Sequence, residues 1–192
     1  MEQLRSVIRE MISISDQEMD AFLSRCQTRS FKSKSFLARQ DDVSNEVFFI
    51  THGITRSLVI DKDGYEHTIH FSLENQFIAD YASFLMKSPA SNSIQALEDT
   101  DVVVMSREMI EWGYSNLRQG DRLGRVIAEY YFLYFDNRIK NMYFNSPGER
   151  YNSITKIFPD IHHRVPQHMI ASYLGITAIH LSRLKKSDYK KN

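Results

Sequence analysis

The chain has one cysteine, Cys26, in 192 residues. This excludes an internal disulfide, and it excludes iron–sulfur or zinc centres built on several cysteines. Long apolar runs are also missing. The longest, such as "YYFLYF" at 130–135, falls far short of the roughly 20 residues a membrane-spanning helix requires. The start, "MEQLR", has neither the basic opening nor the apolar block of a secretory signal, so a cytoplasmic location is expected. There is no Gly-Lys-Ser/Thr phosphate loop, no Gly-x-Ser-x-Gly elbow and no Cys/His nucleophile arrangement, so catalysis is not expected. Internal repeats are absent too, and the only biased tract is the terminal lysines.

Net charge is zero, with 24 Lys/Arg against 24 Asp/Glu, but the balance is uneven along the chain. Residues 146–192 carry 8 Lys/Arg against 3 Asp/Glu, whereas residues 1–145 carry 16 against 21. A basic end on an acidic body suggests that one end handles a polyanion while the rest does something else.

Two short helices are expected first, over 2–11 and 16–27, the second opened by Ser15 with Glu18 three residues on. From about Thr28 to Ser106 the pattern is of strands: "SFLARQ", "EVFFITHG", "ITRSLVIDKDG", "YEHTIHFS", "NSIQALE" and "DVVVMS" are short, β-branched or aromatic, and separated by turn chemistry. Asp63-Gly64 marks a type I′ hairpin candidate, and "ENQFIADYASFLMKSPASN" reads as a short helix and loop inserted among the strands. A long helix follows over 121–144, ended by Asn145-Ser146-Pro147-Gly148. It is apolar on two faces and so must be buried on two faces. One seam holds Leu123, Ile127, Tyr130 and Tyr134; the other holds Ala128, Phe132, Phe135, Ile139 and Met142 at 4-3-4-3 spacing. One can pack on its own β unit, and the other asks for a second copy of the helix about a two-fold axis.

The stretch "QHMIASYLGITAIHLSRLKK" (167–186) has the pattern of a helix-turn-helix. Ile170 and Leu174 lie four apart, Ala171 is small where the helices cross, Gly175 can end the first helix in the left-handed region, Thr177 can cap the second, and Leu181 and Leu184 face back. The second helix would enter a major groove with its first turn leading, presenting Ala178, Ile179, His180, Ser182, Arg183 and Lys186. Arg183 suits a guanine edge, and Ala178 and Ile179 suit thymine methyl groups. Lys185, Lys186, Lys190 and Lys191 suit phosphates, and Gln167, His168 and Thr177 complete the expected DNA-facing set.

Taken in order, "EVFFITHGITRSLV" (46–59), "SIQALEDTDVVVMSRE" (93–108) and "VPQHMIASYLGITAIHLSRLKK" (165–186) resemble the catabolite activator and fumarate–nitrate regulator (Crp/Fnr) superfamily over essentially the whole chain. The resemblance implies an α+β architecture. Residues 1–118 would form a cyclic-nucleotide-binding-like, double-stranded β-roll sensor, jelly-roll-like in layout, residues 119–145 a dimerisation helix, and residues 146–192 a helix-turn-helix domain. It further implies a bacterial, homodimeric, sequence-specific transcription regulator that binds double-stranded DNA and contacts RNA polymerase, with a small-molecule effector in the β-roll and no membrane association.

The resemblance also locates departures. Relatives that bind cyclic nucleotides use a Gly-Glu pair for the ribose and an Arg-Ser or Arg-Thr pair for the cyclic phosphate. Here Ala79-Asp80 and Ala90-Ser91 stand at those places, and Ala90 supplies no positive charge. Cyclic AMP is therefore not the expected effector; Lys87 or Arg56 are the candidates to compensate, and the expected effector pocket comprises Arg56, Ala79, Asp80, Ala90, Ser91 and Tyr130. The cluster-bearing oxygen sensors of the superfamily need several cysteines, which are lacking. Haem would need His52, His67 or His70 as a ligand, but a lone histidine in a β domain is more often a surface or core residue. Ile179 stands where many relatives carry a base-reading glutamate, and with six residues after Lys186 the wing is reduced or missing.

Neither a metal nor a cofactor is expected. Glu66-His67 and His70 are the nearby ligand types, but residues three apart on a strand point to opposite faces. The alternative to a regulator is a ligand-binding or protein-interaction module whose DNA affinity has decayed.

Overall fold

A computed structural model of the chain describes residues 1–188. Helices α1 (Glu2–Met11) and α2 (Asp16–Leu23) come first. Ser15 caps α2 reciprocally: its hydroxyl accepts from the Glu18 N–H while the Glu18 carboxylate accepts from the Ser15 N–H. This helix is shorter than the sequence suggests. Tight turns at Arg25 and Cys26 end it and lead directly into a strand at Gln27.

Among the described residues eight strands follow: β1 (Gln27–Phe31), β2 (Phe36–Ala38), β3 (Glu46–His52), β4 (Thr55–Ile60), β5 (Glu66–Ser72), β6 (Phe77–Ile78), β7 (Ser93–Ala96) and β8 (Thr100–Ser106). They pair antiparallel in two four-stranded sheets, ordered β1-β8-β3-β6 and β2-β7-β4-β5. The alternation of side chains divides the apolar residues between two faces. Phe48, Ile50, Val102 and Val104 point between the sheets toward Ile94 and Ala96. Their neighbours Val47, Phe49, Val103 and Met105 point outward onto a helical layer.

Two turns set this arrangement. Gly53, between β3 and β4, has φ +98°, and a Cβ there would lie 2.5 Å from Thr100 Oγ1, so only glycine fits. The β4–β5 hairpin closes differently from the type I′ turn expected at Asp63-Gly64. Of its loop residues only Gly64 has positive φ (+84°), and its N–H donates to the Asp61 carbonyl while the Asp61 N–H donates to the Tyr65 carbonyl. The loop is three residues, Lys62 to Gly64, with glycine last.

Helix α3 (Tyr81–Met86) sits between β6 and β7; α4 (Arg107–Asn116) and α5 (Gly120–Phe144) follow β8. Leu4, Ile8, Met19, Phe22, Met109, Leu117 and Leu123 cover the outer face of the first sheet. The outer face of the second sheet is covered by the C-terminal helices α6 (Pro147–Ile157), α7 (Ile161–Arg164), α8 (Gln167–Leu174) and α9 (Ala178–Asp188). There Ile54, Phe71 and Leu73 share a core with Ile154, Phe158, Ile161, Tyr173 and Leu174.

The two seams of α5 divide between inside and outside. Leu123 is buried, Ile127 joins the helical core and Tyr134 packs into the C-terminal core, so these three serve the chain's own packing and are not free for a dimer interface. Tyr130 is exposed instead of buried with them, and its neighbour Tyr131 faces inward in its place. On the second seam Phe132 is 70% exposed and Ile139 58% exposed, with Phe135 and Met142 partly open.

Candidate functional site

Between the second sheet and α5 lies a cavity of about 430 Å³. Ser57 and His70 come from the sheet, Asp80, Ser91 and Asn92 from the segments around α3, and Tyr131, Phe132 and Phe135 from α5. The size falls within the range usual for small-molecule sites, and the lining is largely apolar and aromatic.

Asp80 carries the most telling geometry. Its side chain caps α3 by accepting the Ser83 N–H at 3.0 Å. Its other carboxylate oxygen accepts from the Ser91 N–H at 2.8 Å, the Asn92 N–H at 3.2 Å and the Ser91 hydroxyl at 3.3 Å. Four donors thus converge on one internal carboxylate. An incoming phosphate would find them already engaged, and would meet a buried negative charge as well.

Several expected pocket residues lie elsewhere. Arg56 is buried on the outer face of the second sheet, where Gln95, Glu66 and Thr68 hold its guanidinium, so it does not line the cavity. The strand explains this: Ser57 faces the cavity, so Arg56 must face away. Ala90 is fixed in a two-way backbone pair with Asp41 and Asp42 and lines a separate cleft near Val43. Tyr130 is exposed, and its neighbour Tyr131 takes the inward position, its hydroxyl donating to the Phe77 carbonyl. Lys87 is exposed at the end of α3 and does not line the cavity either. Ala79, Asp80 and Ser91 do line it.

His70 was not expected here and is central. Its ring is 7% exposed, lines the cavity and stacks edge-on against Tyr134 at 4.4 Å and near Phe158 at 6.0 Å. Nδ1 is enclosed without a hydrogen-bond partner. Burial, reinforced by the charge of Arg138, pushes the imidazole down to about 3, so the ring is neutral near pH 7. His67, three residues earlier, faces solvent beside Asp61. Among the described residues no group of three or more His, Cys, Asp or Glu is arranged to hold a metal ion.

From His70 a continuous set of contacts runs to the C-terminal helices. Tyr173 on α8 packs against Phe71 and Phe158, shares a hydrogen bond with the Tyr134 hydroxyl at 3.1 Å and lies under Arg138, whose guanidinium also donates to the Tyr173 carbonyl. The Ser172 hydroxyl accepts from the Thr68 N–H at 2.9 Å. Arg164 reaches across to Glu74 and Glu98 in two β-roll turns.

The terminal described residues form two packed helices, α8 and α9. Ile170, Ala171, Leu174 and Leu181 are buried between the helices. Gly175 has φ +66°, its N–H donates to the Ser172 carbonyl and the Ile176 N–H to the Ala171 carbonyl, which closes α8 in a left-handed cap. The Thr177 hydroxyl accepts from the His180 N–H and starts α9. Ala178, Ile179, His180, Ser182, Arg183 and Lys186 are exposed, Ile179 to 67%. Lys185 is half-buried and donates to the Gln167 side chain, while His168 is exposed. Lys190 and Lys191 lie outside the described residues.

Comparison with known proteins agrees with this architecture. Residues 28–115 match the family described as cyclic nucleotide-binding domain. No curated protein sequence matches the chain. Among solved structures, FixK2 from Bradyrhizobium japonicum aligns with TM-score 0.74 at 16% identity, over 86% of this chain and 85% of that one. A protein of Eubacterium rectale assigned to the Crp/Fnr family of transcriptional regulators gives 0.72 at 15%, over 93% and 85%. The catabolite activator protein of Thermus thermophilus gives 0.57 at 18%, over 92% and 84%. Residues 28–115 therefore resemble the cyclic nucleotide-binding domain family, and the chain shares its fold with these solved structures.

Proposed function

We propose that the chain is a homodimeric, DNA-binding transcription regulator, divided as 1–118 sensor, 119–145 dimerisation helix and 146–192 DNA-binding region. The observation that carries this reading is the state of α9. Its inward side packs on α8 and α6, yet its first two turns hold Ala178, Ile179 and Arg183 in solvent, with Lys186 beyond them. A bare isoleucine beside cations on a short helix suits a major groove, where apolar contact with thymine methyls accompanies phosphate pairing.

The second α5 seam supports the dimer. Phe132 and Ile139 are exposed at heptad-like spacing on a helix about 37 Å long, and a second copy of that helix would bury both. A two-fold pair presents two α9 helices to successive grooves of one duplex. In this reading the protein is cytoplasmic and bacterial, contacts RNA polymerase, and takes an effector in the cavity beside α5. No helix among the described residues is long and apolar enough to cross a membrane.

Selection of genomic fragments across a salt series tests the proposal. A regulator recovers an enriched, two-fold-related sequence, and its affinity falls with salt by about 0.9 log units per log unit for each neutralised phosphate. Recovery of no enriched sequence at any salt concentration replaces the regulator with a ligand-binding or interaction module, the reading that the exposed Ile179 would then favour.

A further inference from the structure

We propose that the cavity between the second sheet and α5 takes an uncharged aromatic molecule bearing one polar atom, held by His70, and that it rejects anions. This rests on the reading of that cavity as the effector site and names the class of ligand.

Three observations converge. The first is that the site's anion-binding capacity is already satisfied from within. The Ser91 N–H, the Asn92 N–H and the Ser91 hydroxyl all donate to Asp80, and the Ser83 N–H donates to its other oxygen. Asp80 is the one lining residue with a formal charge, and that charge is negative. Arg56, the nearby buried cation, is committed to Glu66 and Gln95 on the opposite face. A bound anion would therefore be desolvated beside a carboxylate with no cation to meet it.

The second is that the cavity holds an unmet polar requirement. His70 is more than nine-tenths buried and lines the cavity; Nδ1 is sealed away without a partner, and Nε2, which also has no hydrogen-bond partner, is the ring nitrogen a ligand can reach. Ser57, on the paired strand, is the lining hydroxyl nearest in register, since Ser57 and His70 face each other across β4 and β5. A neutral imidazole offers one donor and one acceptor, so a ligand hydroxyl satisfies it in either tautomer.

The third is the shape of the remaining wall. Tyr81, Tyr131, Phe132 and Phe135 supply aromatic surfaces from α3 and α5, with Tyr81 and Tyr131 stacked at 17° and Tyr131 and Phe135 at 22°. Near-parallel rings of this kind receive a flat apolar molecule by offset stacking. Exposed Phe132 lies at the rim, where the second seam of α5 begins.

Three naphthalenes of equal ring shape test this on the full-length protein without DNA, by equilibrium binding followed through the naphthalene fluorescence. 2-Naphthol is expected to bind about tenfold tighter than 2-methylnaphthalene, which leaves His70 unpaired. 2-Naphthoate, and cyclic AMP measured by its displacement of 2-naphthol, are expected to bind at least about a hundredfold more weakly than 2-naphthol. In His70→Leu the advantage of the hydroxyl disappears while both neutral rings still bind. The proposal is overturned if 2-naphthoate or cyclic AMP binds as well as 2-naphthol, if 2-naphthol fails to bind at millimolar concentration, or if the hydroxyl preference survives in His70→Leu. Binding of 2-naphthol with no change in DNA affinity would leave the ligand class standing and remove the effector reading; loss of DNA binding alone would leave both ligand results untouched.

Discussion

Arg164→Met isolates the ionic contact that ties the C-terminal helices to the β-roll. Arg164 donates through Nη1 to Glu74 at 3.0 Å and through Nη2 to the other Glu74 oxygen at 2.7 Å, with Glu98 as a third acceptor. The side chains of Arg164 and Glu74 are 24% and 29% exposed, so the pair is shielded well beyond an ordinary surface ion pair. Methionine keeps the apolar stem but leaves two carboxylates facing each other without a cation. A partly buried bidentate pair of this kind gives an expected loss of about 2 to 3 kcal/mol at pH 7. The pH dependence supplies the check. Burial pushes the Glu74 carboxyl up, but hydrogen bonds from Arg164 and from backbone N–H groups including that of Gly53 outweigh it, leaving a net value below the ordinary one. A carboxyl lowered on folding contributes stability that is complete above its unfolded value and is lost as pH falls through its folded value. Urea unfolding of both proteins at pH 7 and near pH 4 should therefore show the gap shrinking with acid. A gap below about 0.5 kcal/mol at pH 7, or one unchanged at pH 4, would refute the assignment.

Two further substitutions address the proposed interfaces. Ile139→Glu, at a position 58% exposed in one chain and away from the cavity, should leave folding nearly unchanged but raise the dimer dissociation constant at least a hundredfold, since each copy loses an apolar contact worth about 1.5 kcal/mol or more; sedimentation as a dimer at the wild-type concentration would mean the seam is wrong. Arg183→Ala should relax preference by about 1 to 3 kcal/mol at one base position per half-site, whereas Lys186→Ala should weaken all sequences alike, and equal effects in a competition assay would refute the two roles.

Elements with their own periodicity were legible in the sequence. The continuous β-branched and aromatic runs of "EVFFITH" and "DVVVMS", buried on both faces, mark β3 and β8, and the capping residue Ser15 marks a helix start. β1 was not legible, because Gln27 to Ser30 are all exposed and the strand forms by completing the edge of β8. β6 is two residues long and could not announce itself. At the site, the place of Ala79-Asp80 and Ala90-Ser91 was legible through the resemblance, and so was the lack of a cation at Ala90. The closure of Asp80 onto Ser91 and Asn92 was not, since it joins residues 11 and 12 apart through side-chain geometry alone. His70 and Arg164 were hidden for the same reason: the Arg164 partners lie 90 and 66 residues away.

The shared core beneath α8 bears on modularity. Phe158 and Tyr173 are sealed by Phe71, a residue of the sheet, so the last four helices do not complete their own interior. Grafted onto a foreign sensor they would present bare aromatics, and their deletion would strip Phe71 in turn. A change in size on either wall therefore needs an answering change on the other, and the two parts are bound to evolve as one inheritance.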